Sequence, residues 1–148
     1  MRFAFWILFG TMLALPAAAR ADEPAGMIKT ASGAAFVVSG GQRMPAEIGR
    51  ALMRNDVLET GRDGAIGVTF RDNATVSIGP DTQLALDDFV FAPEREQYSF
   101  VTRMTRGTMA FVSGTISKLS PESVAVKTPV GTIGVRGTRF LVKLDGGG

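Results

Sequence analysis

Branched and aromatic residues recur along residues 33–144 in short runs, and each run ends at Gly, Pro, Asn or Asp. No segment keeps apolar residues at helical spacing over several turns. Alternation is clearest at Ile66, Val68 and Phe70, which predicts a strand with three apolar side chains on one buried face. The pattern therefore predicts an all-β fold built from short strands.

Turn residues divide this region into individual strands. Gly40-Gly41 predicts a hairpin between residues 34–38 and 43–46, and Asp72-Asn73 predicts a reversal into residues 75–78. Further strands are predicted at residues 57–61, 84–91, 97–104, 108–113, 123–127 and 138–143. The regular spacing of the turns fits a sandwich, a barrel or an irregular solenoid equally well.

Two segments depart from this simple pattern. The run from Leu84 to Phe91 changes its apolar parity at Asp87-Asp88, which predicts a bulge or corner within the strand. Residues 46–55 contain apolar positions at near-helical spacing, but Gly49 disfavours a long helix. We predict a polar connection there.

The N-terminal 21 residues have the layout of a secretory signal peptide. Arg2 supplies the positive start, residues 3–14 supply the apolar run, and Ala19-Arg20-Ala21 supplies a small-x-small cleavage site. The run is short for a membrane span and is followed by Pro16, so we expect cleavage before Asp22 and no stable membrane insertion. The protein would then be periplasmic or secreted.

The rest of the chain fits one domain. After a lead-in at residues 22–32, a β domain is predicted at residues 33–144, followed by a flexible glycine tail at residues 145–148. The sequence has no cysteine, so its stability must come from a packed core and not from disulfides. A mature chain of this length can bury one such core.

The net charge of the mature chain gives no indication of a nucleic-acid partner. Arg2 and Arg20 would be removed with the signal peptide, so 14 Lys and Arg remain against 14 Asp and Glu, and the expected net charge is zero. The clusters Arg103 with Arg106 and Arg136 with Arg139 are typical of solvated or locally paired arginines, so no nucleic-acid partner is predicted. The alternative that they form a polyanion site is less favoured.

Catalytic and metal-binding chemistry lacks its usual residues. Histidine and cysteine are both absent, which excludes Ser-His-Asp and Cys-His mechanisms and the usual zinc, copper and haem ligands. The pair Asp87-Asp88 points to opposite faces of a strand, and Asp63, Asp72 and Asp81 beside turn residues are explained by Asx turns more simply than by calcium binding. We therefore predict no enzyme, no cofactor and no metal.

The most specific motif is Thr128-Pro129-Val130-Gly131-Thr132-Ile133-Gly134-Val135-Arg136-Gly137-Thr138-Arg139-Phe140. Three glycines at three-residue spacing flank one arginine, and no helix follows, which argues against a nucleotide-binding loop. Glycine permits positive φ and close backbone approach, so we expect a crowded closing turn. Arg136 would bind carbonyl oxygens of this turn or, alternatively, a carboxylate of a partner.

This motif resembles the one that closes a FecR domain. An earlier block, which runs from Gly61 through Asp72-Asn73 to Gly79-Pro80, resembles the same family, and together the pieces cover about residues 33–143. The resemblance implies a single all-β domain with a twisted, solenoid-like stack of short strands; a β-sandwich or jelly roll is the alternative. The candidate structural or partner-binding residues are Gly131, Gly134, Arg136, Gly137, Thr138 and Phe140.

The resemblance also implies a role. FecR-like regulators carry a cytoplasmic anti-sigma segment, a membrane span and an exported β domain that receives a signal from an outer-membrane receptor; this chain resembles only the last part. We expect a non-enzymatic interaction or signalling module of the cell envelope whose partner is another envelope protein. It would bind through a strand edge or a row of exposed phenylalanines. The alternative is a cell-wall or carbohydrate-binding domain, although outside the signal peptide Tyr98 is the only Trp or Tyr.

Overall fold

A computed structural model describes residues 23–145 of the protein, and the predicted signal peptide and residues 146–148 of the predicted tail lie outside it. The described residues form a curled, largely antiparallel sheet that closes about half of a barrel. Its strands are β1 Gly26–Ser32, β2 Ala35–Ser39, β3 Gln42–Pro45, β4 Ala51–Leu52, β5 Val57–Thr60, β6 Ala65–Phe70, β7 Thr75–Ile78, β8 Gln83–Ala92, β9 Gln97–Val112, β10 Val124–Thr128, β11 Gly131–Gly134 and β12 Arg139–Leu144. One short helix, α1 Thr115–Leu119, and 3-10 turns at Pro93–Arg95 and Pro121–Ser123 complete the described elements.

The strands form two half-sheets that share β9. The first half-sheet has the order β3-β2-β5-β8-β9, and the second continues from β9 through β7, β6 and β1 to β4. Strands β8 and β7 follow one another along one edge of β9. Along the opposite edge, β10 pairs with the N-terminal part of β9 and β12 pairs with its C-terminal part. The β9–β10 pair is the one parallel pair among the described strands, so coil-on-coil parallel stacking is not the main pairing of this sheet.

Strand β9 passes from one half-sheet to the other at Gly107, which has φ of +99°. Opposite this glycine, Thr82 is fully buried and its Oγ1 accepts a hydrogen bond from the Thr108 N–H at 3.0 Å. The Thr82 N–H in turn donates to Thr60 Oγ1 at 2.9 Å, and the Thr60 hydroxyl donates to the Gly79 carbonyl at 2.6 Å. The buried threonines therefore satisfy the backbone groups that the corner removes from the regular ladder.

The core lies between the two half-sheets and is rich in phenylalanine. Phe89 and Phe100 from the first half-sheet contact Phe70 from the second, with ring centroids 4.6–5.5 Å apart. Phe100 also lies 5.3 Å from Phe111, and both are buried. Offset and edge-to-face rings at these distances stabilise the packing beyond their buried area. The alternative of an exposed phenylalanine docking face is therefore not supported, because these rings form the core.

A buried carboxylate joins the β6–β7 hairpin to α1. Asp72 is 1% exposed, and its Oδ1 accepts a hydrogen bond from the Ala74 N–H while its Oδ2 accepts one from the Ile116 N–H, both at 3.1 Å. Its carbonyl accepts a third bond from the Thr115 N–H at 2.8 Å. The Asx turn predicted at this residue is present, and the same side chain also fixes the start of α1.

Most of the predicted strands are present, and the all-β, single-domain prediction is confirmed. The Gly40-Gly41 hairpin, the reversal at Asp72-Asn73 and the bulge between Leu86 and Asp88 all occur where the pattern places them. The division of residues 97–113 into two strands is wrong, because β9 is continuous through its corner. Strand β1 lies within the predicted lead-in and pairs with β6, and strands β4 and β11 and helix α1 were not predicted.

We predict that Gly107→Ala destabilises the fold strongly. A Cβ at this position would overlap Oγ1 and Cα of buried Thr82, and the positive φ adds backbone strain. We expect a loss of about 2–5 kcal/mol in the free energy of unfolding, measured by urea denaturation. Gly41→Ala is the matched control, because Gly41 also has positive φ but has open space around it. It should cost only about 1–2 kcal/mol. Equal losses in both variants would contradict the steric explanation.

We predict that Asp72→Asn lowers the free energy of unfolding by about 1–3 kcal/mol. An amide has only one oxygen, so one of the two backbone N–H groups now bound by the carboxylate loses its acceptor in the core. Asp63→Asn serves as the control, since exposed Asp63 accepts only the Ala34 N–H and the amide oxygen preserves that bond. Thermal and urea unfolding of both variants measure the difference. Unchanged stability of Asp72→Asn would contradict the assignment.

Candidate interaction site

The glycine-rich motif of residues 128–140 begins at the last residue of β10 and continues through the turn into β11. Thr128 pairs with Gly131 across this turn, and its hydroxyl donates to the Gly131 carbonyl at 2.7 Å and accepts the Val130 N–H at 3.3 Å. Within the described part of the chain β11 pairs with β10 alone, so its other edge is open. The first part of the motif thus forms an exposed hairpin and not the crowded closing turn that the sequence predicted.

The three motif glycines differ from one another in what they require. Gly131 and Gly137 have φ of +147° and +99°, a backbone region that favours glycine, whereas Gly134 has no positive φ. None of the three has a heavy atom within 4 Å of where a Cβ would lie. The crowding expected from the sequence is therefore absent at all three glycines.

Arg136 is exposed, and among residues 23–145 its guanidinium has no hydrogen bond or ion pair. Within the described residues, Arg136 therefore does not bind carbonyl oxygens of the turn, which was the first of the two interpretations of the sequence. The alternative from the sequence, contact with a carboxylate of a partner, stays a prediction.

The C-terminal part of the motif is bound to the rest of the domain. Val135 is 3% exposed, and Phe140 stacks on buried Phe111 with ring centroids 4.9 Å apart. Ser113 donates its N–H to the Thr138 carbonyl at 2.8 Å and its hydroxyl to the Gly137 carbonyl at 2.6 Å. The β10–β11 hairpin is therefore followed by a segment, residues 135–140, that is attached to the domain.

A cleft of about 510 Å³ lies between this hairpin and β12. It is lined by residue 128, by residues 130–136 and by residues 140–144. Three large apolar side chains in its lining are solvent-exposed: Val130 at 90%, Leu141 at 78% and Ile133 at 39%. We call this region the C-terminal cleft. Exposed apolar groups gathered at one cleft are typical of a binding surface.

Strand β12 forms one open border of the C-terminal cleft. Since the Ser113 N–H donates to the Thr138 carbonyl, antiparallel alternation directs the backbone groups of Phe140 and Val142 toward β9. The backbone groups of Arg139, Leu141 and Lys143 then point away from β9, where no described strand pairs with them. This edge can accept another strand.

The charge around the C-terminal cleft has one sign. Between Glu122 and Asp145 the sequence contains four cations, Lys127, Arg136, Arg139 and Lys143, and no acidic residue. The five ion pairs of the described chain all lie elsewhere. The charged residues that line the cleft itself are Arg136 and Lys143.

A second cleft of about 790 Å³ lies on the other side of the hairpin. Glu122 is part of its lining, and hydrogen bonds from its own backbone N–H and from the Ser120 hydroxyl lower the pKa of this carboxyl group. The two sides of the hairpin thus differ in charge, because only the second cleft has a carboxylate in its lining.

Most of the acidic residues considered for catalysis or calcium binding contact protein groups within the domain. Asp87 forms an ion pair with Arg103 at 3.3 Å, and Asp88 forms one with Arg54 at 3.6 Å. Asp72 binds backbone N–H groups of the core. Within residues 23–145 no three acidic side chains are grouped closely enough to hold a metal ion.

Sequence reasoning found the motif but missed the residues that give the site its chemistry. The residues that were not candidates are Val130, Ile133, Leu141 and Lys143, because valine, isoleucine, leucine and lysine are ordinary residues of a β protein. Their exposure depends on the turn and on the open strand edges that the tertiary structure creates. The run without acidic residues from 123 to 144 was a usable indication. The overall net charge did not indicate this local cationic surface, because basic and acidic residues are equal in number after residue 21.

Comparisons with known proteins identify the family. The chain matches the family described as FecR protein over residues 56–148. No curated protein matches it. A solved structure described as a cell surface anchoring domain is similar at 27% identity, with a TM-score of 0.39, and the match covers 41% of this chain and 82% of that chain. Because the family match covers more than half of the sequence, this protein belongs to the FecR family.

Proposed function

We propose that this protein is an exported, non-enzymatic interaction or signalling module that binds another protein of the cell envelope through its C-terminal cleft. FecR domains are envelope-associated regulatory or signalling domains. The observation that carries the proposal is the open edge of β12 beside exposed Leu141, within the region that matches the family. An unpaired edge and exposed apolar side chains together favour strand addition by a partner protein.

Export by a cleaved signal peptide is part of this proposal. The sequence of residues 1–21 supports it. Among residues 23–145, none of the helices has the length and hydrophobicity of a membrane span. Periplasmic location would place the domain where envelope partners occur.

A cell-wall or carbohydrate-binding role is the second candidate, but no observation favours it. Stacking on sugars uses exposed aromatic rings. Tyr98 is half-buried, and its ring centroid lies 6.3 Å from that of Phe91. The two other partly exposed rings among residues 23–145, Phe36 and Phe140, contact Arg43 and Phe111.

We predict that the protein purified from the periplasmic fraction begins at Asp22. Signal peptidase would cleave after Ala21, because the residues at 19 and 21 are small. Intact mass measurement and N-terminal sequencing give the result directly. A product that retains residues 1–21 and sediments with membranes would contradict cleavage.

We predict that the tagged, exported protein captures one envelope protein in stoichiometric amount from a detergent-solubilised envelope fraction. Retention on purified peptidoglycan, without any protein partner, would instead support the second candidate.

Arg136→Ala provides a specificity control for the capture experiment. Because Arg136 is exposed and has no internal bond among the described residues, we expect an unchanged melting temperature and weaker capture. Lower stability of this variant would contradict a partner-binding role for Arg136.

A further inference from the structure

We propose that the open edge of β12 binds an extended acidic segment of its partner protein as an added strand. This inference rests on the proposed function, since it specifies the chemistry of the partner at the same cleft. It follows from three properties of the edge: the direction of its free backbone groups, the pattern of its outward side chains, and the apolar cleft beside it.

The free backbone groups belong to alternate residues of β12. Arg139, Leu141 and Lys143 direct their N–H and carbonyl groups away from β9, as the alternation from the Ser113–Thr138 hydrogen bond requires. An incoming strand would satisfy these groups in a regular ladder. Strand addition to an exposed edge gives affinity through these main-chain bonds, and specificity comes from the alternate side chains.

The outward side chains specify what the added strand should carry. Arg139, Leu141 and Lys143 lie on one exposed face, in the order cation, apolar residue, cation. Side chains directly opposite one another on neighbouring strands interact, and opposite charges there are favourable. The complementary strand therefore has an acidic residue, an apolar residue and an acidic residue at positions i, i+2 and i+4.

The C-terminal cleft indicates which residues the added strand should have at positions i+1 and i+3. Its lining includes exposed Val130 and Ile133 on the side of the β10–β11 hairpin. Apolar residues at i+1 and i+3 of the added strand would cover these side chains. Arg136 also lines the cleft, which adds a third cation for an acidic residue beyond the paired segment.

A second copy of this chain is a poor occupant of the edge. Antiparallel pairing of two β12 strands about Leu141 would place Arg139 of each copy opposite Lys143 of the other. Like charges directly opposite each other are unfavourable. A flexible polyanion is also a poorer fit, because it satisfies the cations but neither the free backbone groups nor exposed Leu141.

The test uses synthetic peptides with the core Glu-Val-Leu-Val-Glu, binding to the purified protein in titration calorimetry. We expect saturable one-to-one binding that is at least about tenfold tighter than that of the peptide with the core Lys-Val-Leu-Val-Lys. N-methylation of one alternate set of peptide amides should abolish binding, and methylation of the other set should leave it unchanged, because only one set faces β12. Methylation without effect, or with equal effect in both sets, would overturn strand addition.

Charge reversal in the protein tests the cations independently. Arg139→Glu with Lys143→Glu should weaken the acidic peptide at least about tenfold and strengthen the lysine peptide. Lys29→Glu with Lys118→Glu is the matched control, since both lysines are exposed, lie outside the cleft and give the same change in net charge. Equal weakening by both double variants would overturn the assignment of the site.

Two further outcomes separate the possibilities. Competition by inorganic polyphosphate as effective as competition by the acidic peptide would overturn the proposal in favour of a polyanion site. Capture of the envelope partner by the Arg139→Glu, Lys143→Glu variant at the level of the unaltered protein would overturn this inference while leaving the proposed function intact. Since the peptide series uses the unaltered protein, the test does not depend on the folding of any variant.

Discussion

The fold depends on one close approach, that of the backbone at Gly107 to the side chain of Thr82. There is no space for a Cβ at Gly107, and the Thr82 hydroxyl binds the backbone of Thr108 next to it. This contact lets a single 16-residue strand leave one half-sheet and enter the other without exposing unpaired backbone groups to the core. Both half-sheets, and the phenylalanine core between them, are arranged around that corner.

The same corner places the candidate site. Strand β9 pairs with β10 before the corner and with β12 after it, so these two strands approach the same edge of β9 from different half-sheets. Strand β11 extends the first of them, and the C-terminal cleft lies between β11 and β12. The open edge, the exposed Leu141 and the unpaired cations therefore belong to the last segments added to the sheet, which have no described neighbour on their outer side.

Sequence reasoning recovered most of the fold and part of the site. Alternation at Ile66, Val68 and Phe70 and turn chemistry at Gly40-Gly41 are local properties, so their strands and hairpins were predictable. The positive φ of Gly131 and Gly137 was also predictable from residue type. The expected crowding around Arg136 was wrong, because whether a glycine-rich turn packs against the domain depends on contacts remote in sequence.

The sequence by itself determined the all-β class, the hairpins, the buried faces of the strands and the membership of the FecR family. These follow from residue type, parity and short-range turn preferences, which act within a few positions of the chain. Only the tertiary structure decided that residues 97–112 form one bent strand, that Asp72 caps α1 from 44 residues away, and that β11 and β12 end as open edges. The physical reason is that burial and strand pairing depend on which distant segment lies alongside, and a strand at the edge of a sheet has the same alternation as one at its centre.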